Sequence, residues 1–385
     1  MTLKRETLLV QTGNDREEPR GAVNTPIYLS VPFRHGDIGL LNGYDYIRTG
    51  NPTRDVLEDS IAKLEKGDRG FACSSGMSAI QLAFSLFKSG DHIIASRDLY
   101  GGSYRIFEWF SAKYHLEFSY WNQDKGSINE LVQNNTKAIF IETPTNPLMT
   151  ETDLRFVADV AAKHQLLLIV DNTFYTPLIQ RPIELGADVV IHSATKYLGG
   201  HNDVLAGLVV SGDHELSSRL FESHNTSGAV LAPFDCWLLI RGMKTLALRM
   251  KQHEENAKKV YSFLTAHPLV DKVYYPGQGG MVSFEISKES LVSPFLKKLK
   301  LFTFAESLGG VESLITYPAT QTHADIPQKT RESYGLSNRL LRISVGIEHA
   351  DDLIDDLKQA FDQVQSKVLV PSGDEKGGSH LEFIR

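Results

Sequence analysis

Two stretches decide the fold: "LLLIVDNTFYTP", Leu166 to Pro177, and "ADVVIHSATKYLGG", Ala187 to Gly200. Each carries a short apolar run and then breaks into a polar turn. A half-exposed strand alternates apolar and polar residues, whereas a strand apolar throughout belongs to a parallel sheet covered on both faces. Each run stops at a single reactive group, Asp171 in the first stretch and Lys196 in the second. Ligands of open α/β sheets bind beyond the carboxyl ends of the strands, so both groups are aimed at one crevice. Taken singly, Asp171 reads as a strand-end cap and Lys196 as a solvated charge. Taken together they read as a salt bridge or a site.

The same rhythm extends to both sides. "TRDVLEDSIAKLEKG" has apolar residues at Val56, Leu57, Ile61 and Leu64, which is helical spacing, and stops at Gly67. "RGFACSS", "HIIAS", "LEFSYW" and "KAIFIE" read as further strands. "GMSAIQLAFSLFKSG" reads as a helix ending at Gly90, "GSYRIFEWFSAKY" and "LRFVADVAAKH" as helices, and "INELVQNN" as a short one. Strands alternating with helices indicate one α/β domain over residues 51–235 with a mostly parallel sheet. Residues 1–50, rich in Pro and Gly, read as an N-terminal extended arm. Residues 236–370 read as a smaller α+β domain that opens on a long connector helix, begun at Pro233 and broken near Gly242. In this domain "GGMVSFEIS" and "RLLRISVG" alternate as half-exposed strands do. Residues 371–385, "PSGDEKGGSHLEFIR" without its first residue's partners, are Gly- and charge-rich and read as a disordered tail.

Composition narrows the function. The 385 residues carry a net charge of −7, which argues against nucleic acid or an anionic membrane as partner, since both need clustered Lys and Arg. The two cysteines, Cys73 and Cys236, lie far apart in apolar stretches, read as buried thiols of a reducing cytoplasm and suggest no metal site. No run approaches the ~18 apolar residues of a membrane-spanning helix, and the N-terminal stretch lacks the apolar core of a signal peptide. The expectation is a cytoplasmic protein acting on small molecules.

Chemistry gathers at the strand ends. "SSGMSA" places Ser75, Gly76 and Met77 between a strand and the first turn of a helix, where free N–H groups and the helix dipole suit a phosphate. Ser193 and Thr195, flanking Lys196, offer hydroxyls for the remaining phosphate oxygens. A phosphate cradle, an amine and a carboxylate together are what pyridoxal 5′-phosphate (PLP) requires. The lysine holds its aldehyde, and the carboxylate pairs with the protonated pyridine nitrogen so that the ring draws electrons from an amino acid's Cα.

The motifs "YDYIRTGNPTRDVLE", "SSGMSAI", "DLYGGSYR", "ETPTNP", "VDNTFYTP", "HSATKYLGGH", "AESLGGVESLITYPATQTHA" and "LLRISVGIEHADDLIDDL" occur in this order. Together they resemble the Cys/Met-metabolism PLP-dependent enzymes, the trans-sulfuration family of PLP fold type I. The resemblance implies an aspartate aminotransferase-like large domain with a mostly parallel seven-stranded sheet and a homotetramer built as a dimer of dimers. It implies Lys196 as Schiff-base lysine and proton shuttle, and Asp171 on the pyridine nitrogen. Ser75, Gly76, Met77, Ser193 and Thr195 fall on the phosphate, and Tyr100 stacks on the ring. Tyr46 and Arg48 come from the neighbouring subunit, Arg48 onto the phosphate and Tyr46 near the substrate, with Tyr46 and Tyr100 as candidates for assisting proton transfer or leaving-group departure. Arg342 grips the substrate carboxylate, with Asn146, Glu306 and Ser307 as further substrate-pocket positions. Tyr100-Gly101-Gly102 departs from the "YGC" of methionine γ-lyases, and Ser307-Leu308-Gly309-Gly310 from the "SWGG" of bacterial cystathionine β-lyases. The stretches Glu306–Ile315 and Leu340–Glu348 resemble cystathionine γ-synthases most, with γ-lyases close behind. The implied reaction is γ-replacement on an O-acyl-L-homoserine by cysteine, with sulfide as another acceptor and γ-elimination as the alternative. Between Pro276 and Met281 only "GQGG" remains where many relatives are longer, so contacts made by that segment do not carry over.

Overall fold

The computed structural model describes residues 3–14, 21–123 and 127–369. Seven strands form the large sheet: β1 Arg69–Cys73, β2 His92–Ser96, β3 Glu117–Trp121, β4 Thr136–Glu142, β5 Leu167–Asp171, β6 Val189–Ser193 and β7 Gly207–Ser211. Their order across the sheet is β1-β7-β6-β5-β4-β2-β3. Only β7 runs against the rest, pairing antiparallel with β1 and β6. The central strands are apolar along their length because helices cover both faces, which split the core into two clusters.

One cluster is built on aromatic rings. Phe84 stacks near Phe107, Phe110 and Phe118, with centroids 5.0, 5.3 and 6.1 Å away. Phe107 also meets Phe140 edge-on at 5.2 Å. Phe107 is fully buried. Its replacement by Ala leaves a cavity that rigid neighbours cannot close, and we expect unfolding stability to drop by about 3–5 kcal/mol. A lower urea midpoint at unchanged m-value checks this.

Local signals set the helix ends. Asn51 caps the Pro52–Glu65 helix, its side chain accepting from the amides of Thr53 and Arg54. The Gly76–Phe84 helix starts on a reciprocal capping box between Ser75 and Ser78. This helix stops at Phe84 and does not reach Gly90: a series of turns through Ser85 and Phe87 leads to Gly90, whose φ of 86° closes the turn into β2.

Two long helices, Pro233–Met243 and Leu246–Thr265, lead to a second sheet. Its strands are β8 Val270–Tyr274, β9 Met281–Ile286, β10 Thr303–Phe304, β11 Leu314–Thr316 and β12 Leu340–Ser344, ordered β8-β9-β12-β11-β10. The expected half-exposure of β9 and β12 is overturned: every residue in both is buried. Their apolar positions pack with the Leu246–Thr265 and Ala350–Leu369 helices. Their polar positions face protein instead of water. Ser283 Oγ donates to the Pro147 carbonyl at 2.7 Å, and Glu285 accepts from the Tyr274 hydroxyl and from Arg339, both at 2.8 Å. Alternation here marks polar contacts within the small sheet and to the large domain rather than a solvent face.

The N-terminal arm is not extended throughout. Arg5–Val10 forms a short helix that touches the Pro52–Glu65 and Leu246–Thr265 helices, with Leu9 buried in the core and Leu8 packed against it. Residues 21–50 are mostly exposed and hold a small hairpin, His35–Asp37 with Leu40–Leu41. The predicted tail, 371–385, lies outside the described residues. Cys73 and Cys236 are free and buried. Among the described residues no helix is long and apolar enough to cross a membrane.

Candidate active site

A cavity of about 230 Å³ opens beyond the carboxyl ends of β4, β5 and β6, where the small sheet closes over the large one. Twelve of the residues singled out in the sequence line it: Ser75, Gly76, Met77, Tyr100, Asn146, Asp171, Ser193, Thr195, Lys196, Glu306, Ser307 and Arg342. The folding reasons differ. Asp171 and Ser193 are the last residues of β5 and β6, Lys196 sits in the turn after β6, and Ser75–Met77 start a helix. Arg342 lies mid-strand in β12, the centre of the small sheet.

Tyr46 and Arg48 are not on this wall. Both are exposed on the arm, where Arg48 donates to the Asn225 carbonyl and, at 3.1 Å, to the Asn225 side chain. The Arg48 guanidinium lies 5.8 Å from the centre of the Tyr46 ring.

The anion end of the cavity is built from backbone. Ser78 N is used by the Ser75 side chain, while the amides of Gly76 and Met77 have no acceptor among the described residues. A Cβ on Gly76 would sit 2.9 Å from Ser193 Oγ, so glycine is what lets the helix start approach the β6 end. Ser193 Oγ is uncommitted among the described residues. Thr195 Oγ1 instead donates to the Ala206 carbonyl at 3.1 Å and accepts from Ala206 N at 3.0 Å. Thr195 therefore holds the turn together, and its hydroxyl must leave the Ala206 carbonyl to reach a ligand.

At the opposite end, Asp171 Oδ1 accepts from the Thr173 amide at 3.0 Å and the Thr173 hydroxyl at 2.6 Å. Thr173 Oγ1 in turn accepts from Ser193 N at 2.8 Å, tying β5 to β6. Oδ2 has no hydrogen-bond partner among the described residues. Burial pushes the Asp171 carboxyl above its ordinary range, opposed by the Thr173 bonds and weakly by His192. Beside it in register stands Glu142, whose Oε2 accepts from Tyr100 N at 3.0 Å. Burial, and next the Asp171 charge, push Glu142 well up. Oδ2 is thus an acceptor open to a protonated heterocyclic nitrogen, whose positive charge would favour the ionised Asp171 carboxylate.

Lys196 Nζ donates to Ser307 Oγ at 3.2 Å. Burial, and next the Arg342 charge, lower its pKa from 10.5 to about 8, with Glu306 opposing. The amine is thus far more often neutral and nucleophilic than an exposed lysine at the same pH. We expect uptake of PLP by the apoprotein to accelerate with pH up to about 8 and to level off above it. Stopped-flow absorbance between pH 6 and 10 measures this, and a rate still rising tenfold per unit beyond pH 9 refutes it.

Arg342 is 1 % exposed. It donates from Nη1 to Asn146 Oδ1 at 2.8 Å and from Nη2 to the Ser307 carbonyl and Thr316 Oγ1, at 3.0 and 3.2 Å. Its Nε–H is buried without a partner among the described residues, a donor available to a ligand carboxylate. Burial lowers its pKa to about 10, so it stays cationic at neutral pH. Burial, then Glu306, raise that of Tyr100, which therefore stays a phenol.

Sequence reasoning passed over three participants. Glu142 ends "KAIFIE" as Asp171 ends its own strand, so the strand-end rule would have found it. Thr173 was signalled by the Asp-x-Thr spacing, which lets a carboxylate bond the residue two ahead. Arg249, 4 % exposed, clamps the segment after Lys196 by donating to the carbonyls of Tyr197 and Gly242, both at 2.8 Å. Inside a helix of ordinary charge pattern, Arg249 gives no such signal.

Fold and cavity together define a PLP enzyme of the type I architecture. The chain belongs to the family described as Cys/Met metabolism PLP-dependent enzyme, whose model matches residues 6–362. It is 60 % identical to the cystathionine gamma-synthase/O-acetylhomoserine (thiol)-lyase of Bacillus subtilis, over 94 % of this chain and 97 % of that one. It is 55 % identical to the cystathionine gamma-synthase of Haemophilus influenzae, over 92 % of this chain and 97 % of that one. Among solved structures, the cystathionine gamma-lyase of Lactobacillus plantarum complexed with L-serine superposes with a TM-score of 0.91 at 44 % identity, covering 94 % of this chain and 100 % of that one.

Proposed function

We propose that the protein is a cystathionine γ-synthase that joins an O-acyl-L-homoserine to L-cysteine, releasing the acyl group as a carboxylate. The observation that carries this is the 60 % identity, over nearly the whole of both chains, to a protein named for the synthase and thiol-lyase activities. When bound, PLP supplies an electron sink that makes the Cα and Cβ protons of the substrate removable. The residues do the rest. Gly76 and Met77 amides with Ser75, Ser193 and Thr195 hold the phosphate, Asp171 Oδ2 holds the ring nitrogen, and Tyr100 lies against the ring. Arg342, braced by Asn146, takes the substrate carboxylate, with Glu306 and Ser307 beside it. Lys196 Nζ, freed from the aldehyde, carries protons at Cα and Cβ, and the Ser307 hydroxyl gives it a resting place between transfers. The Tyr100 phenol assists proton delivery.

Tyr46 and Arg48 complete the site of a second copy, Arg48 reaching its phosphate and Tyr46 its substrate. Exposed Val23, Leu29, Ile38 and Leu40 on the same arm supply apolar contact for that copy. The assembly we propose is a homotetramer made of two such dimers.

A γ-lyase reading, in which water rather than a thiol captures the intermediate, draws support from the L. plantarum relative. We expect incubation with O-acetylhomoserine or O-succinylhomoserine plus cysteine to yield cystathionine as main product. Incubation with cystathionine alone should release 2-oxobutyrate at least tenfold more slowly. The opposite ratio would assign the lyase.

A further inference from the structure

A second cavity, of about 510 Å³, lies apart from the catalytic one. Its wall carries Arg5, Arg155 and Arg181 against Glu151 and Glu184. Both acids are engaged. Glu184 stands 3.6 Å from Arg181 Nη1, and Glu151 Oε1 accepts the Tyr175 hydroxyl at 2.5 Å. Among the described residues Arg5 bonds only the Leu178 and Ile179 carbonyls. Neither Arg5 nor Arg155 has a carboxylate within ion-pair distance among the described residues.

Arg181 gives the second, independent sign. Its side chain is only 9 % exposed, yet its Nε–H is buried with no acceptor among the described residues. The Glu184 pairing leaves that donor unsatisfied, and a buried donor of a charged group without an acceptor is unfavourable. The Arg5 guanidinium adds to the strain, opposing protonation of Arg181 second only to burial. Like charges facing across a concave polar surface, with one donor unsatisfied, are what an anion relieves.

We propose that this cavity binds a small anion through carboxylate or phosphate oxygens held by Arg5, Arg155 and Arg181. The site is independent of the reaction assigned above. It touches the segment that follows Asp171, since Tyr175 and Gln180 are on its wall and Gln180 Nε2 donates to Asn172 Oδ1 at 3.1 Å.

The test is calorimetric titration of PLP-loaded protein at low ionic strength, with inorganic phosphate in one arm and malonate in the other. Loading the cofactor first keeps phosphate out of the catalytic cavity. We expect saturable binding near one anion per chain, with Kd of about 1 mM or tighter. Saturation by phosphate alone assigns a phosphate ligand, and by malonate alone a carboxylate. Arg155→Gln, at an exposed position, should weaken binding at least tenfold, and Arg5→Gln with Arg155→Gln should abolish it, both with cofactor absorbance unchanged. Absence of saturable heat in both arms, or binding that Arg155→Gln leaves intact, overturns the proposal.

Discussion

Lys196→Ala lowers turnover by about ten-thousand-fold or more while the protein stays folded and still takes up PLP at high cofactor concentration. Among the described residues that line the cavity, Lys196 carries the only amine. No neighbour substitutes for it. Arg342 keeps its proton at neutral pH, and Tyr100 holds its phenolic proton tightly. The phosphate cradle is built from the Gly76–Phe84 helix start and the β6 end, so its donors survive the change. Steady-state rates with matched cofactor occupancy check the expectation. A variant within tenfold of the parent rate would remove Lys196 from the reaction.

Asp171→Asn lowers turnover by roughly 10²–10³-fold, the size of losing one preorganised electrostatic contact. Asn keeps the shape and can still accept from Thr173, so the loss reads out charge at the ring nitrogen. The apoprotein should respond in the opposite sense. The carboxyl of Asp171 is raised above its ordinary 3.8 in the fold, so the folded chain holds its proton more tightly than the unfolded one. The wild type therefore loses stability relative to the Asn variant as pH rises through the titration of the Asp171–Glu142 pair. Melting of the two apoproteins should differ most at pH 8, with Asn higher, and converge towards pH 4. A variant apoprotein that melts lower at pH 8 would show that the carboxylate is not held at a cost.

Much of this was legible before any coordinates. Continuous apolar runs exposed the buried strands, and the polar breaks after them marked Asp171, Ser193 and Lys196. The seventh strand, Gly207–Ser211, was implied only by family resemblance, because no helical stretch sets it apart and periodicity does not reveal that it runs backwards. The small sheet misled for a physical reason. Polar residues on β9 and β12 look solvent-facing in a one-dimensional pattern, but most of their partners, Pro147, Arg339 and Asn146, come from segments distant in the chain. Arg342 is the sharpest case. A lone arginine in a strand reads as an edge charge until Asn146 and Thr316 are seen to surround it. Tyr46 and Arg48 stand on the exposed arm, away from the cavity of their own chain, and their place in a second copy is part of the proposal.

Ser307 joins two devices that are usually discussed apart. Its hydroxyl accepts from the Lys196 amine, and its carbonyl accepts from the Arg342 guanidinium, proposed above to hold the substrate carboxylate. In the proposed reaction, one short loop leading into the small sheet is thus the common anchor for proton traffic and for selection of α-amino acids. A change of side chain at the far end of the substrate leaves that anchor alone, whereas a change in how the carboxylate is held disturbs the base as well. Divergence towards new leaving groups or thiols is therefore open to this scaffold, while abandoning the α-carboxylate is not.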